Sequence, residues 1–196
     1  MFSIGLLLFS YLLGSFSTAI VVCRVLGLPD PRTEGSGNPG ATNVLRLTTR
    51  WVAAVVLLGD MLKGLIPVLV ATSLDASSTL LAGVALAAFL GHLYPVFFGF
   101  RGGKGVATSL GVLLGLSWQV GFACIATWLI IAALSRLSSL AALFAALLSP
   151  LYMYWFGFSA AYQIAAAIMT ALLIWRHRSN IQNLRNGTET KIGIKS

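Results

Sequence analysis

Residues 106–134 read VATSLGVLLGLSWQVGFACIATWLIIAAL, and this apolar run decides how the chain is built. A helix crosses a bilayer with about 20 residues, because each residue adds about 1.5 Å along the helix axis. The run is therefore too long for one comfortable span and short for two. Ser117, Trp118 and Gln119 lie near its middle, where a turn with an aromatic anchor at the membrane interface would divide it into two short helices.

Five further apolar runs share this character, and together they predict an all-α integral membrane protein. The sequence is 58% hydrophobic and only 9% charged, whereas a soluble domain carries about 25% charged residues. Such a chain needs lipid as its solvent, and with 196 residues it has room for one bundle, which we predict to be a single domain over residues 1–196. The further runs are residues 2–22, 51–72, 78–98, 138–156 and 158–175.

The positions of the basic residues decide how many spans there are and which way they run. Lys and Arg near the ends of spans remain on the cytoplasmic side of the membrane. If residues 106–134 form two helices, all but one of the 13 Lys and Arg residues fall on one side, and the exception, Lys63, lies inside the second span. With six spans, the basic tail after residue 175 would lie outside. We therefore predict seven spans, several of them short or broken, with the N-terminus outside and the C-terminus in the cytoplasm.

The formal net charge of +8 has two competing explanations. Nucleic-acid binding needs a water-exposed basic face, which an apolar chain of this kind lacks, so we expect no nucleic-acid partner and assign the charge to membrane orientation and anion binding. Cys23 and Cys124 lie far apart without metal-ligand spacing, which predicts two buried thiols and no disulfide framework. The N-terminal run lacks a basic segment before it and a cleavage site after it, so we expect a retained span and no signal peptide.

A glycine-rich loop follows the first span. It spells G-x-G-x-x-G, but that dinucleotide fingerprint requires a preceding strand and a following helix, and prolines precede it here. We reject a dinucleotide site, although Gly35, Gly37 and Gly40 still allow backbone N–H groups to converge on an anion. A simple turn between helices is the alternative. The side chains that would add donors to this anion site are Ser36, Asn38, Thr42, Asn43 and Arg46.

A second glycine-rich loop, Gly102-Gly103-Lys104-Gly105, comes immediately before the fourth span. It is not a P-loop, because that motif needs Ser or Thr after the lysine and Gly105 stands there. The helix behind it begins on the predicted cytoplasmic side, so its free N–H groups and the positive end of its dipole meet Lys104 and favour an anion. The alternative is a basic turn that only fixes membrane orientation, for which Arg101 would suffice.

A few polar residues lie at or near membrane depth. A charge there costs about 2.5–3.5 kcal/mol, so Asp60 and Lys63, which share a helix face three residues apart, are expected to pair and to face the bundle interior. His92 lies at the inner end of the third span, and the sequence leaves two roles for it, packing and substrate binding. His177 and Asn180 share a face of any helix that continues the last span. The alternative for this tail is a solvated basic segment that fixes topology.

These blocks, taken in order, resemble the motifs of the bacterial acyl-phosphate-dependent glycerol-3-phosphate acyltransferases, the PlsY type. Each motif alone is modest, but all of them in this order along the whole chain are specific. Asn183 departs from the family pattern, because a basic residue is expected there, and Arg185 is the candidate replacement. The blocks that carry the resemblance are residues 36–46 for the first motif, 91–95 with 102–108 for the second, 177–181 with 187–191 for the third, and 60–67 for a further family pattern.

The resemblance implies transfer of a fatty acyl group from acyl phosphate to glycerol 3-phosphate, which gives lysophosphatidic acid and phosphate in the first step of phospholipid synthesis. It implies an enzyme of the bacterial inner membrane with its site facing the cytoplasm, and we expect no cofactor, no metal and no obligate protein partner. Commoner acyltransferases place an aspartate five residues after a histidine base, where this chain has Phe97 and Gln182. A transporter of a phosphorylated solute is the alternative, although a transporter would place its binding groups near the midplane and show related halves.

The resemblance and the residue types together assign roles around two phosphates. The phosphate of glycerol 3-phosphate is assigned to Arg46 and to the predicted catalytic residues Lys104, His177 and Asn180. The phosphate of the donor is assigned to the loop from Gly35 to Gly40 with Ser36, the fourth predicted catalytic residue. Acyl phosphate carries a good leaving group, so alignment and charge stabilisation are expected to supply most of the acceleration. Three acceptors stay open for the hydroxyl proton: the substrate's own phosphate, His177 and His92. The further residues predicted to bind substrate are Gly35, Gly37, Asn38, Gly40, Thr42, Asn43, His92, Gly102, Gly103 and Gly105.

Overall fold

The computed structural model describes residues 2–193, and within that range the chain is helical with no strand. The all-α prediction is confirmed. The helices are α1 Phe2–Gly14, α2 Thr18–Val25, α3 Ala41–Leu47, α4 Arg50–Ser73, α5 Ser78–Leu93, α6 Val106–Leu116, α7 Trp118–Ser135, α8 Ser138–Trp155, α9 Ala160–Arg176 and α10 Arg178–Arg185, with a 3-10 turn at Val96–Phe98.

Four helical segments are long and apolar enough to cross a membrane: α4, α5 continued to Phe98, α7 and α8. The bent pair α1 and α2 makes a fifth if it counts as one span. α6 and α9 are apolar but shorter, with 11 and 17 residues. By length and composition the structure is thus a membrane bundle with four or five candidate spans, and a count of seven depends on including the two short helices.

The run of residues 106–134 divides where the sequence predicts it. α6 ends at Leu116, and α7 begins directly after Ser117, whose Oγ accepts a hydrogen bond from the N–H of Val120 at 3.2 Å. A serine in this place satisfies one of the free N–H groups in the first turn of the new helix. Trp118 beside it is 64% exposed, as expected for an anchor at the membrane interface.

The first apolar run departs from the expectation of one continuous span. α1 and α2 meet at a 45° bend between Gly14 and Thr18. The bend frees the carbonyl of Phe16, which accepts a hydrogen bond from Nζ of Lys63 at 2.8 Å. Because Lys63 belongs to α4, the break depends on a partner far along the chain, and no proline marks it in the sequence.

Asp60 and Lys63 pair inside the bundle, as predicted. Nζ of Lys63 lies 2.8 Å from Oδ1 of Asp60, and both side chains are buried. Together with the bond to the Phe16 carbonyl, this pair ties α4 to the bend after α1. It also keeps two charges away from lipid, where each would be costly.

Glycines let α4 and α6 approach closely. A Cβ at Gly111 would overlap the carbonyl of Met61. A Cβ at Gly64 would overlap the carbonyl of Thr108 in the same way. Small residues at such contacts are typical of membrane helices, because van der Waals packing must replace the hydrophobic effect as the force that holds them together.

The loops that carry the predicted site gather at one end of the bundle. Nη1 of Arg32, in the first connection, donates to the carbonyl of Phe98 at 3.3 Å. Nη2 of Arg46, on α3, donates to the carbonyl of Thr190 in the tail at 3.2 Å. Segments that are distant in sequence therefore meet around one opening.

Candidate active site

A cavity of ≈ 330 Å³ opens at this end of the bundle, enclosed by α3, α4, α6, α7, α8 and the tail. One part of its wall is polar and comes from the two glycine-rich loops and the tail, and the other part is apolar. The four residues predicted to be catalytic all line it: Ser36, Lys104, His177 and Asn180. The predicted substrate-binding residues in its wall are Asn38, Gly40, Thr42, Asn43, Arg46, His92 and Gly105.

Asn43 organises the first glycine-rich loop. Its Oδ1 accepts a hydrogen bond from the N–H of Ser36 at 2.8 Å, and its Nδ2 donates to the carbonyls of Pro31 and Glu34 at 2.9 and 3.0 Å. Both amide hydrogens are thus engaged inside the protein, and the side chain is buried. Asn43 was predicted to donate to substrate, whereas the structure gives it the task of shaping the loop.

Gly35 and Gly37, predicted to bind substrate, do not line the cavity. Both have positive φ, at 59° and 67°, a conformation that glycine adopts without a steric penalty. A Cβ at Gly35 would also overlap Oδ1 of Asn43. These two glycines therefore turn the chain so that Ser36 between them reaches the cavity.

Arg46 projects from α3 and keeps donors available. One guanidinium nitrogen, Nη2, donates to the Thr190 carbonyl. Its Nε is buried and has no hydrogen-bond partner among residues 2–193. A buried donor without a partner is costly, so an anion that enters the cavity would find a favourable contact there. Thr42, on the same short helix, contacts Ser138 of α8 through its hydroxyl at 3.1 Å.

Lys104 begins a chain of polar contacts that crosses the cavity wall. Its Nζ donates to Oδ1 of Asn180 at 2.5 Å, and Nδ2 of Asn180 donates to Oε1 of Glu189 at 2.7 Å. The same carboxylate oxygen accepts from Oγ of Ser139 at 2.6 Å. Burial lowers the pKa of Lys104 from its usual value, and the charge of Glu189 opposes that shift. The Glu189 carboxylate therefore stabilises the charged form of Lys104 in the absence of substrate.

His177 presents a neutral ring to the cavity. Its Nδ1 lies 2.8 Å from the carbonyl of Leu173. A carbonyl oxygen can only accept, so Nδ1 carries the proton and Nε2 keeps a free lone pair. Burial lowers the pKa of His177 to about 4, with the Leu173 carbonyl opposing the shift and Lys104 adding to it. At neutral pH the side chain is therefore a hydrogen-bond acceptor at Nε2 and not a cation.

His92 lines the cavity, but Gly102 and Gly103 of the second loop do not. The carbonyls of the two glycines point instead at Arg176, which donates from Nη2 to Gly102 at 2.7 Å and from Nε to Gly103 at 3.2 Å. A Cβ at Gly103 would overlap Nε2 of His92. The glycines thus let the turn pass close to the ring, and their predicted role as substrate ligands has no support in this geometry. Gly105, with φ +88°, does reach the wall.

Most of the large apolar side chains of the wall come from α4 and α7, and α6 and α8 contribute further apolar residues. Side chains of α4 and α7 also face outward, since Leu57 is 46% and Leu129 is 56% exposed. The apolar wall therefore extends to exposed side chains of α4 and α7, and because both helices are candidate spans, these side chains would face lipid. The apolar residues that α4 and α7 contribute are Leu57, Leu58, Met61, Ile125, Trp128 and Leu129.

Comparison with known sequences decides the family. A sequence model described as glycerol-3-phosphate acyltransferase matches residues 4–187. The chain belongs to this family. The glycerol-3-phosphate acyltransferase of Thioalkalivibrio sulfidiphilus is 60% identical over 98% of this chain and 95% of the relative. The protein of the same name from Methylococcus capsulatus is 57% identical over 95% of this chain and 94% of the relative.

Two crystal structures of PlsY (YgiH), an integral membrane glycerol 3-phosphate acyltransferase, share the fold. The glycerol 3-phosphate form has a TM-score of 0.95 with this chain at 41% identity, covering 98% of this chain and 96% of that one. The lysophosphatidic acid form has a TM-score of 0.92 at 40% identity over the same shares. The resemblance inferred from the motifs is confirmed, and the chain is an integral membrane acyltransferase.

Two polar residues that line the candidate site, Glu189 and Ser139, had no role assigned from the sequence. Glu189 was included in the third motif but received no role, and Ser139 was not considered. A lone acid within a basic tail was the available signal for Glu189. For Ser139 the signal was weaker, because serines at the start of a helix such as α8 usually serve only as caps. The apolar wall had a clearer signal, since residues 57, 58 and 61 share one helix face, as do 125, 128 and 129.

Proposed function

We propose that the chain transfers a fatty acyl group from acyl phosphate to glycerol 3-phosphate and releases phosphate and lysophosphatidic acid, in the first step of phospholipid synthesis. One observation carries the proposal: a single cavity joins a polar end with cationic side chains to an apolar end on two candidate membrane spans. An anionic head group suits one end and an acyl chain suits the other. The glycerol 3-phosphate and lysophosphatidic acid forms of PlsY support the same substrate and product here.

The phosphate of glycerol 3-phosphate, the acyl acceptor, is proposed to lie among Arg46, Lys104 and Asn180. Arg46 offers the buried Nε, which has no hydrogen-bond partner within residues 2–193, and Lys104 offers an ammonium held near Asn180. Charged hydrogen bonds of this kind are the strong ones for phosphate. The phosphate of the donor is proposed to lie beside Ser36 and Asn38, which line the polar end of the cavity.

The proposed reaction joins the acceptor's hydroxyl oxygen to the acyl carbonyl carbon and breaks the bond from that carbon to the donor's phosphate oxygen. Phosphate leaves with the electron pair, so positioning and charge stabilisation can supply much of the acceleration. Two groups are suited to take up the hydroxyl proton: the phosphate of glycerol 3-phosphate itself and the free Nε2 of His177. His92 suits it less, because its ring packs on Gly103 and its Nδ1 lies 3.8 Å from Oδ1 of Asp60.

The proposed membrane arrangement is that of one domain over residues 1–196 with seven spans. It counts the bent pair α1 and α2 as one span and includes the short helices α6 and α9. The N-terminus would lie outside and the C-terminus in the cytoplasm of a bacterial cell, with the protein in the inner membrane. The support is the distribution of Lys and Arg, which places both glycine-rich loops and the tail on one side.

Cysteine labelling tests this arrangement. Ser36 and Ser78 are both exposed, and they lie at opposite ends of the predicted spans. We expect a cysteine at Ser36 to react with an impermeant thiol reagent only after the cytoplasmic side is opened, and one at Ser78 to react in intact cells. The native Cys23 and Cys124 are buried and provide a low background. Labelling of both positions from the same side would exclude the seven-span model.

The choice of donor tests the proposed chemistry. Purified protein given acyl phosphate and glycerol 3-phosphate is expected to release phosphate and form lysophosphatidic acid over many turnovers. Acyl-CoA as sole donor is expected to give no turnover, because the family resemblance implies acyl phosphate as the donor and the cavity of ≈ 330 Å³ has to hold an acyl chain and glycerol 3-phosphate as well. Sustained turnover with acyl-CoA would contradict the acyl-phosphate assignment. Turnover in detergent also separates an enzyme from the transporter alternative, since a transporter has no product to form.

A further inference from the structure

Arg176 lies directly over the turn that precedes Lys104. It is the last residue of α9 and is half-buried, with the guanidinium carbon 6.0 Å from the centre of the Tyr94 ring. Its two donors reach the carbonyls of Gly102 and Gly103, at 2.7 and 3.2 Å. No carboxylate pairs with it among residues 2–193. Its hydrogen bonds are thus directed at the backbone of the second glycine-rich loop.

This turn packs closely against the end of α5 but has few hydrogen bonds of its own. Residues 101–105 lie outside any helix. Within the described residues, the carbonyls of Gly102 and Gly103 accept hydrogen bonds from Arg176 and from no other donor. On the opposite side, the His92 ring fills the space that a side chain at Gly103 would need. The turn is therefore held between an imidazole and a guanidinium.

Residues at the junction of α9 and α10 contact both the backbone before Lys104 and the ammonium at the end of its side chain. Arg176 fixes the backbone just before it, and Asn180, four residues further along, accepts from its ammonium at 2.5 Å. We propose that Arg176 is a positioning residue, which fixes the Gly102–Gly103 turn and thereby sets where the Lys104 ammonium enters the cavity. This inference rests on the proposed function only in so far as Lys104 holds a substrate phosphate.

An arginine is needed for this task because its planar fork presents two donors in a fixed geometry. A lysine at residue 176 would have one nitrogen in place of the two that now contact the carbonyls, so it could not reproduce both hydrogen bonds in the present geometry. Removing a charged hydrogen bond of this kind corresponds to roughly a tenfold to hundredfold loss. We therefore expect Arg176→Met to lower kcat/KM by roughly tenfold or more, mainly through a higher KM for glycerol 3-phosphate, and Arg176→Lys to lie between Arg176→Met and the parent.

Arg178→Met is the matched control, because Arg178 is exposed and stacks on Trp175 at 5.0 Å, away from the loop. It removes the same charge from the same helix junction and is expected to keep activity within about threefold, as surface changes usually do. Thermal unfolding in detergent is to be measured on all variants. If Arg176→Met does not insert, Arg176→Lys carries the same test, and parental kinetics in Arg176→Lys overturn the proposal.

A double-mutant cycle separates positioning from general stability. If Arg176 acts through Lys104, then Arg176→Met should change kcat/KM by less than about twofold when Lys104 is already replaced by Gln, because the two residues share one function. An equal loss in both backgrounds, or no loss in the parent, overturns the proposal. A parent without turnover of acyl phosphate and glycerol 3-phosphate would count against the proposed function instead, so the two failures are distinguishable.

Discussion

Alanine at Asn180 or at His177 is expected to leave a folded, inserted protein with almost no activity. Asn180 links the Lys104 ammonium to the Glu189 carboxylate at 2.5 and 2.7 Å. His177 is buried and offers Nε2 to the cavity, because Nδ1 is engaged with the Leu173 carbonyl. Removing Asn180 takes one partner from the desolvated Lys104 ammonium, which costs about 2–5 kcal/mol. If the contact holds in the transition state, kcat/KM falls by roughly 30-fold to several-thousand-fold. Removing His177 takes away a proton acceptor, and such a group typically contributes roughly a hundredfold to ten-thousandfold to the rate.

Arg178→Ala is the control for this pair, because Arg178 lies between the two on the chain and is exposed. Its activity is expected to stay within a few-fold of the parent. The same is expected for Lys195→Ala, although Lys195 lies outside the described residues. Phosphate release by the purified variants decides the matter. Near-parental kinetics in both His177→Ala and Asn180→Ala would leave the tail with a role in topology alone.

Valine at Gly111 is expected to destabilise the packing of α4 against α6. A Cβ there overlaps the carbonyl of Met61, which is backbone and cannot rotate away. α4 and α6 would have to separate, and the hydrogen bond from Oγ1 of Thr108 to the Asp60 carbonyl, 2.9 Å long, lies at the same interface. Overpacking of a core costs about 1–3 kcal/mol and occasionally more, and the backbone contact here favours the upper end of that range.

Gly5→Val provides the comparison, since nothing lies within 4 Å of a Cβ added at Gly5, which is exposed on α1. We expect Gly111→Val to lower the yield of folded protein and the temperature of unfolding in detergent, and Gly5→Val to leave both unchanged. Unfolding of Gly111→Val at the parental temperature would show that the two helices have room between them, contrary to the structure.

Those parts of the fold that depend on local pattern could be predicted. The division of residues 106–134 followed from length and from the Ser117-Trp118-Gln119 turn, and the Asp60–Lys63 pair followed from spacing and the cost of a charge in lipid. The bend between α1 and α2 could not be predicted in the same way. It is stabilised by the bond from Lys63 to the Phe16 carbonyl, and that partner lies on another helix.

The candidate site was likewise predictable only in part from the sequence. Residue type and motif were enough to select Ser36, Lys104, His177 and Asn180, which the structure brings to one cavity. They were not enough to separate residues that face the cavity from those that shape it. Asn43 has the chemistry of a substrate ligand, yet its amide is engaged by the loop. Such a distinction depends on which backbone groups fold back on a side chain, and the sequence alone does not show this.

The apolar wall that reaches exposed side chains of α4 and α7 has a kinetic consequence under the proposed function. The donor would arrive by lateral diffusion in the plane of the bilayer, while the acceptor would arrive from the water. The rate would then follow the mole fraction of acyl phosphate among the surrounding amphiphiles and not its amount per litre. Adding inert detergent would slow the reaction at constant total donor, and the acyl chain of the product would return to the bilayer without passing through water.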